Sequence, residues 1–369
     1  MKRKVLNLCN CASGLYDFRG MLISAFIEKG YEVRAVVPVA EDAVELAANE
    51  KLQKLGCKLQ AMPIDRRGIN PLTDAKLFLQ YIRCILREKP DLVVTYTIKC
   101  NLYGGIACRL LHVPYAINIT GLGTAFQGEG VIRKLVTCLY KNACKKAKIV
   151  FFENEANKQF FIDERMVTEE KTCRLYGAGV DLNRFTIAEY PKEEEPVRFL
   201  FIGRVMKEKG IDEFFEAAQH IKNQYPGTEF HVVGNYEDDY ASKTEQLVKE
   251  GVITFHGYQE DVRPFITQSA AFVLPSYHEG MANTLLEAGA MARPLITTNI
   301  PGCKEAVQDK KTGFLFEKKN TGALIFTLEQ FLALTYEERK QMGLEQHDYV
   351  AAWFDKRVVV RETMNRLGI

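Results

Sequence analysis

The sequence predicts an α/β protein with two doubly wound parallel sheets. Three observations carry that reading: a length of 369 residues, strand-like apolar runs alternating with helical stretches, and a break after which the alternation begins again. Such a chain exceeds one ordinary core and suits two domains of roughly 150 to 200 residues each. With 47% hydrophobic and 26% charged residues, the composition excludes disordered, collagen-like and disulfide-scaffold classes.

In the first half, strands are expected at residues 5–9, 32–38, 58–62, 92–95, 115–119 and 149–152, and helices at 21–29, 40–55, 74–87 and 102–111. The strand runs are apolar throughout rather than alternating, the signature of parallel sheets covered on both faces. The pattern pauses at residues 190–196, where Pro191, three glutamates and Pro196 read as a linker. It resumes with strands at 198–202, 229–233, 252–255, 271–274, 294–297 and 313–316, separated by helices at 212–224, 240–249, 262–268 and 284–291. Domains are thus expected at 1–190 and 191–350, with a helical tail at 351–369 that holds the lone tryptophan, Trp353. Ligands of such sheets collect beyond the carboxyl ends of the strands, so a polar cleft site between the domains is expected.

The ten cysteines are scattered without a Cys-x-x-Cys pair, which suits buried thiols in a reducing compartment better than a disulfide framework or zinc site. Residues 1–10 run from basic to apolar and on into a Gly-containing turn, so they read as a first strand rather than a signal peptide. No apolar segment reaches the ~18–20 residues of a membrane span. A cytoplasmic protein with at most peripheral membrane contact is therefore expected. Charge is divided unevenly, +9 over residues 1–185 and −7 over the rest, so the first half prefers anionic partners such as anionic lipid, a diphosphate-bearing acceptor or nucleic acid. Residues 131–148 hold Arg133, Lys134, Lys141, Lys145, Lys146 and Lys148, no acid, and apolar residues at helical spacing. That stretch reads as a basic amphipathic helix suited to an anionic membrane surface, or as a core helix with a solvated basic face.

Two segments of the second half carry the chemistry. Phe201-Ile202-Gly203-Arg204-Val205-Met206-Lys207-Glu208-Lys209-Gly210 sets an Arg and a Lys five residues apart beyond a strand end. Such a pair can grip a diphosphate and stabilise the charge that builds on it as it leaves; alone it reads equally as a solvated basic loop. Pro275-Ser276-Tyr277-His278-Glu279-Gly280-Met281-Ala282-Asn283-Thr284-Leu285-Leu286-Glu287 then places two glutamates eight residues apart across a loop and a helix start. The helix start offers N–H groups to phosphate oxygens, leaving Glu279 for sugar hydroxyls and Glu287 for ribose hydroxyls; alone the pair reads as a capping carboxylate and a surface acid.

Together these segments resemble the family 4 retaining glycosyltransferases of the GT-B fold, whose signature is Gly-Arg…Lys-Gly followed downstream by Glu-x7-Glu. The resemblance extends to His256-Gly257-Tyr258 and to Pro301-Gly302-Cys303-Lys304-Glu305-Ala306-Val307. It implies two Rossmann-like domains and a last helix that crosses back to the N-terminal one, with Trp353 marking the crossing. It also implies a nucleoside-diphosphate sugar as donor and catalysis by Arg204, Lys209 and Glu279. Donor contacts are implied at Gly14, Gly203, Tyr258, Gly280, Met281, Ala282, Asn283, Thr284 and Glu287. No carboxylate stands out as a nucleophile, so a front-face substitution with neither metal nor cofactor is the expected mechanism. The run Glu237-Asp238-Asp239 reads as a solvated loop.

In the first half, Ala12-Ser13-Gly14-Leu15-Tyr16-Asp17-Phe18-Arg19 reads as a glycine turn leading into a helix. No Gly-x-Gly-x-x-Gly follows the first strand, which counts against a nicotinamide enzyme. Thr97-Ile98-Lys99-Cys100-Asn101-Leu102-Tyr103-Gly104 and Asn118-Ile119-Thr120-Gly121-Leu122-Gly123-Thr124-Ala125-Phe126 resemble the branch of the family that extends sugars on polyprenyl diphosphate, N-acetylgalactosaminyl transferases included. Acceptor contacts are expected from Ser13, Tyr16, Arg19, Lys99, Asn101 and Thr120, with Lys99 reading equally as a lysine that caps a strand end. Many relatives carry a histidine where this chain has Asn118 and Thr120. Two other classes share parts of the pattern. A sugar-nucleotide 2-epimerase shares the architecture without the Arg-Lys and Glu-Glu constellation; a non-enzymatic nucleotide-binding or nucleic-acid-binding protein could use the basic half, yet the sequence shows no aromatic-basic interleaving of a nucleic-acid module, so no nucleic-acid partner is expected.

Overall fold

The computed structural model describes the chain apart from Met1, Arg66, Arg67, Ile69, Thr124, Ala125 and residues 127–129, so part of the Gly-Leu-Gly-x-x-Phe segment lies outside the described residues. The chain forms two compact units, Met1–Ala178 joined by Arg357–Ile369, and Gly179–Lys356.

The first unit strings β1 (Lys4–Leu8), β2 (Glu32–Val37), β3 (Lys58–Ala61), β4 (Leu92–Tyr96), β5 (Tyr115–Ile119), β6 (Ile149–Phe152) and β7 (Thr172–Arg174) into one sheet. The strand order is β3-β2-β1-β4-β5-β6-β7 and every pairing is parallel, so all C-terminal ends share one rim. The connecting helices are α1 (Ala12–Glu28), α2 (Ala43–Lys54), α3 (Pro71–Glu88), α4 (Gly105–Leu110), α5 (Val131–Cys144) and α6 (Glu155–Asp163). Leu77, Tyr81, Ala107, Tyr140 and Phe161 put α3 to α6 in one core cluster, while Leu15, Phe26, Ala48 and Leu52 put α1 and α2 in the other. The central strands β4, β5 and β6 are buried along their whole length, as expected of a parallel sheet covered on both faces.

In the second unit β8 (Val197–Ile202), β9 (Thr228–Val233), β10 (Thr254–Phe255), β11 (Ala271–Leu274), β12 (Leu295–Thr298) and β13 (Gly313–Phe316) form a parallel sheet in the order β10-β9-β8-β11-β12-β13. Its helices are α7 (Ile211–Gln224), α8 (Ala241–Lys249), α9 (Arg263–Thr267), α10 (Asn283–Ala290), α11 (Thr321–Leu332) and α12 (Tyr336–Trp353). The final helix, α13 (Lys356–Leu367), packs Val359, Met364 and Leu367 into the core of the first unit beside Phe26 and Val5.

Several local expectations need correction. The stretch expected as a glycine turn at Gly14 is helix: α1 starts at Ala12. The reason lies in Glu45, at the first turn of α2, which accepts the N–H groups of Ala12 (2.7 Å) and Ser13 (3.3 Å) and so satisfies that early start. Strand β7 and helix α6 were not expected, one being only three residues long and the other only nine, nor were α11 and the part of α12 before residue 351. The tail is two helices rather than one, broken after Trp353. The Pro-Glu run lies within the second unit, where Tyr190 donates to Ala270 O (3.0 Å) and Arg293 donates to Glu189 O (2.6 Å).

Candidate active site

The rim of the second sheet is paved with backbone. Gly203, Gly234 and Gly257 follow β8, β9 and β10; Gly203 N donates to Val233 O (3.0 Å) and Gly234 N to Gly257 O (2.8 Å). Gly234 has φ +149°, and a Cβ there would sit 1.9 Å from Gly203 O, so no other residue fits.

Beyond Gly203 the chain turns tightly over Lys207–Lys209 into α7. Gly210 permits this: at φ +71° its missing Cβ would lie 2.1 Å from Pro275 O, and Tyr277 N donates to Glu208 O (2.9 Å). The buried Tyr277 hydroxyl also donates to both Glu213 oxygens, at 2.7 and 2.8 Å. The basic loop therefore lies directly on the glutamate-bearing one. Lys209 Nζ meets Glu279 Oε1 at 2.5 Å, with the two side chains 20% and 11% exposed. Ser276, fully buried, donates its hydroxyl to the same oxygen (2.8 Å), and its carbonyl accepts from Thr298 Oγ1 (2.6 Å). Two donors on one oxygen fix the rotamer of Glu279.

The following backbone is clamped from behind. Ala282 N donates to Gly302 O (2.9 Å) and Glu305 holds Gly302 N (2.7 Å), while a Cβ on Gly302 would meet Gly280 O at 2.6 Å. Helix α10 starts at Asn283, capped by Ala282 without a side-chain hydrogen bond. A helix start has N–H groups without intrahelical acceptors and a partial positive charge, a setting for phosphate oxygens. Met281 and Ala282 are buried, Asn283 and Thr284 half-buried, and Glu287 lies one turn into the helix, half-buried. Arg204 is 51% exposed and 3.5 Å from Glu237, whose neighbour Asp238 accepts Lys207 N (3.0 Å), so the acidic run braces the basic loop. Tyr258 is exposed on the loop beyond β10. The structure thus brings Lys209, Glu279, Gly280 and the start of α10 together, with Arg204 beyond β8 and Tyr258 beyond β10 on the same rim of the sheet.

Under Gly257 lies a histidine pair: His256 Nε2 and His231 Nδ1 are 3.0 Å apart, and Glu229 is 3.3 Å from His231. Burial, aided by Arg198 and His256, pushes His231 down to about 4 from 6.5. The unfolded chain protonates His231 near pH 6.5, and the folded unit resists protonation until about 4. Stability is therefore full above that window and is lost as pH falls through it. Urea midpoints are expected to drop between about pH 7 and pH 5, and His231→Gln is expected to flatten that slope. An equal slope in both proteins would contradict the assignment.

The residues expected to meet an acceptor occupy the C-terminal rim of the first sheet, and several are engaged internally. Ser13 donates its N–H and hydroxyl to Glu45, whose carboxylate thus fills the positive end of α1 that Gly14 adjoins. Arg19 is buried against Glu153 (2.7 Å) and stacks over Tyr96. Asn101 is 1% exposed and ties β4 to β5, accepting from Thr95 Oγ1 (2.7 Å) and donating to Asn118 O (2.8 Å). Lys99 pairs with Asp74 (2.8 Å), which also accepts from Tyr103 (2.9 Å). Lys51 lies over the half-buried Tyr16 ring, and Thr120 is half-buried beyond β5. The π-helical turn Cys100–Gly104 follows Thr97, which holds φ +71° without being glycine. Strain of that kind concentrates at working loops.

Sequence reading assigned no role to Ser276, Thr298, Glu45 and Glu305; Thr298 and Glu45 act on partners distant in the chain, while Ser276 and Glu305 act three residues away, on Glu279 and Gly302. Ser276 and Glu305 left a local trace, a hydroxyl three residues before Glu279 and a carboxylate three residues after Gly302.

Residues 183–346 match the model for glycosyl transferases group 1, and residues 4–154 match the model for glycosyl transferase 4-like proteins. The chain is 26% identical, over 92% of its length and 91% of the relative's, to an N,N'-diacetylbacillosaminyl-diphospho-undecaprenol alpha-1,3-N-acetylgalactosaminyltransferase of Campylobacter jejuni. It is 31% identical, over 71% of each chain, to a UDP-Gal:alpha-D-GlcNAc-diphosphoundecaprenol alpha-1,3-galactosyltransferase of Escherichia coli. In fold it is similar to Anabaena Alr3699/HepE, solved with UDP and glucose, at a TM-score of 0.80 and 15% identity over 99% of both chains.

Proposed function

The chain belongs to the glycosyltransferases, and we propose that it moves a hexose or N-acetylhexosamine from a UDP-sugar to a sugar carried on polyprenyl diphosphate, with retention at the anomeric carbon. What carries the reading is the Lys209–Glu279 pair seated beside the start of α10. Lys209 and Arg204 match the charge of a diphosphate, and both cations gain in worth as the leaving group becomes more anionic. Glu279 Oε1 is occupied by Lys209 and Ser276, which orients its other oxygen toward a sugar hydroxyl. Glu287 suits the ribose diol. In the front-face step the acceptor hydroxyl bonds to the anomeric carbon, the sugar–phosphate bond breaks, and the acceptor's proton passes to the departing phosphate oxygen.

The acceptor assignment rests on what the two bacterial relatives act on and on the cationic first half. A lipid-linked acceptor is reached at a membrane face, and among the described residues no helix is long and apolar enough to cross one. Helix α5 suits peripheral contact at the cytoplasmic face: Val131, Ile132 and Leu135 are 83%, 49% and 56% exposed, beside exposed Lys134 and Lys141. The test is a donor screen that follows nucleotide release with a short-chain polyprenyl-diphosphate sugar as acceptor. Acceptor-dependent release is expected from a UDP-sugar, and no release from any UDP- or GDP-sugar would overturn the proposal.

A further inference from the structure

We infer that α3 presents a second contact with an anionic bilayer beside α5, an inference that rests on the lipid-linked acceptor proposed above. Leu72, Leu79 and Leu86 recur at every seventh residue of α3 and are 82%, 50% and 55% exposed. At 3.6 residues per turn they fall within an arc of about 40°. The helix already has a core side, with Leu77, Tyr81, Cys84 and Ile85 packed against the sheet, so the three leucines form a separate outward line.

Charge decides what this line faces. Lys76, Arg83 and Arg87 are exposed and flank the leucines. The two acids of α3 are held elsewhere: Asp74 accepts from Lys99 and Tyr103, and buried Glu88 pairs with Arg34 (2.6 Å) and Arg87 (2.9 Å). The cationic, apolar character continues across the neighbouring helices of the same core cluster, with Leu110 of α4 54% exposed before the outward residues of α5. From Leu92 to Phe152 the sequence holds one acid, Glu129, against eight Lys and Arg residues. A second copy of the chain would set like charges against each other on this face, whereas phosphatidylglycerol headgroups oppose them and acyl chains accept the leucines.

The test is flotation of the full chain with vesicles of phosphatidylcholine alone and of phosphatidylcholine mixed with phosphatidylglycerol. The wild type is expected to bind only the anionic vesicles. The Leu72→Ser/Leu79→Ser/Leu86→Ser variant should partition at least about tenfold more weakly, and Lys76→Glu/Arg83→Glu should weaken binding to the anionic vesicles by a similar factor, with the cations of α5 supplying what remains. Transfer to a water-soluble acceptor analogue should be unchanged in both variants, which keeps a fault in folding or catalysis apart from a fault in docking. Wild-type flotation by the leucine variant, absence of wild-type binding, or a wild-type dimer in light scattering that the leucine variant loses would each overturn the inference.

Discussion

Lys209→Ala and Glu287→Ala are each expected to slow sugar transfer at least about tenfold, the scale of a lost charge-assisted contact of about 1.5 kcal/mol. The two losses should differ in kind. Lys209 is 2.5 Å from Glu279, so its removal takes a cation from the departing diphosphate and a brace from the carboxylate beside the sugar. That change acts mainly in the transition state and should fall on kcat. Glu287 stands a turn into α10, where a ribose contact would be equal in ground and transition states and its loss should raise KM. Initial rates of nucleotide release over a range of donor concentrations separate the two, and near-normal rates in both variants would discredit the site.

Arg293→Leu is expected to destabilise the second unit by about 3 kcal/mol or more, lowering its melting transition by roughly 6–12 °C. The side chain is fully buried, and its guanidinium donates to the carbonyls of Ile266, Ala188, Met291, Ala292, Glu189 and Thr267 at 2.6–3.2 Å. Burial lowers its pKa to about 10, which still leaves the group charged at neutral pH. Leucine would fill part of the volume and leave several carbonyls without a donor. Lysine would keep the charge with fewer donors and without the planar fork, so Arg293→Lys should recover little. A calorimetric transition within about 2 °C of wild type in the leucine variant would contradict this account.

Most of the fold was legible because it rests on periodicity. Wholly apolar runs such as 149–152 and 271–274 announce buried parallel strands, and both sheets have the expected doubly wound order. Elements shaped by a distant partner were not legible. Helix α1 begins at Ala12 because Glu45 of another helix caps it, a pairing that no local window contains. That the Gly-Arg…Lys-Gly and Glu-x7-Glu segments serve one site was implied by the family resemblance, and the Lys209–Glu279 pair brings them together. Their support from Ser276, Thr298 and Gly302 was hidden, since burial and hydrogen-bond partners are tertiary facts. Arg19 and Asn101 illustrate the reverse case: polar types in a cleft-like segment looked available, and the fold turns both inward.

The place of α13 has a consequence for how the protein is made. Domains usually complete themselves in the order in which the ribosome delivers them. Here Val359, Met364 and Leu367 complete the interior of the unit that begins at the N-terminus, so that unit must wait, unfinished, until translation has passed through all of Gly179–Lys356. The half encoded second is therefore the first able to close its own interior, and a nascent chain stalled before α13 would present an open apolar seam along α1 to chaperones and proteases.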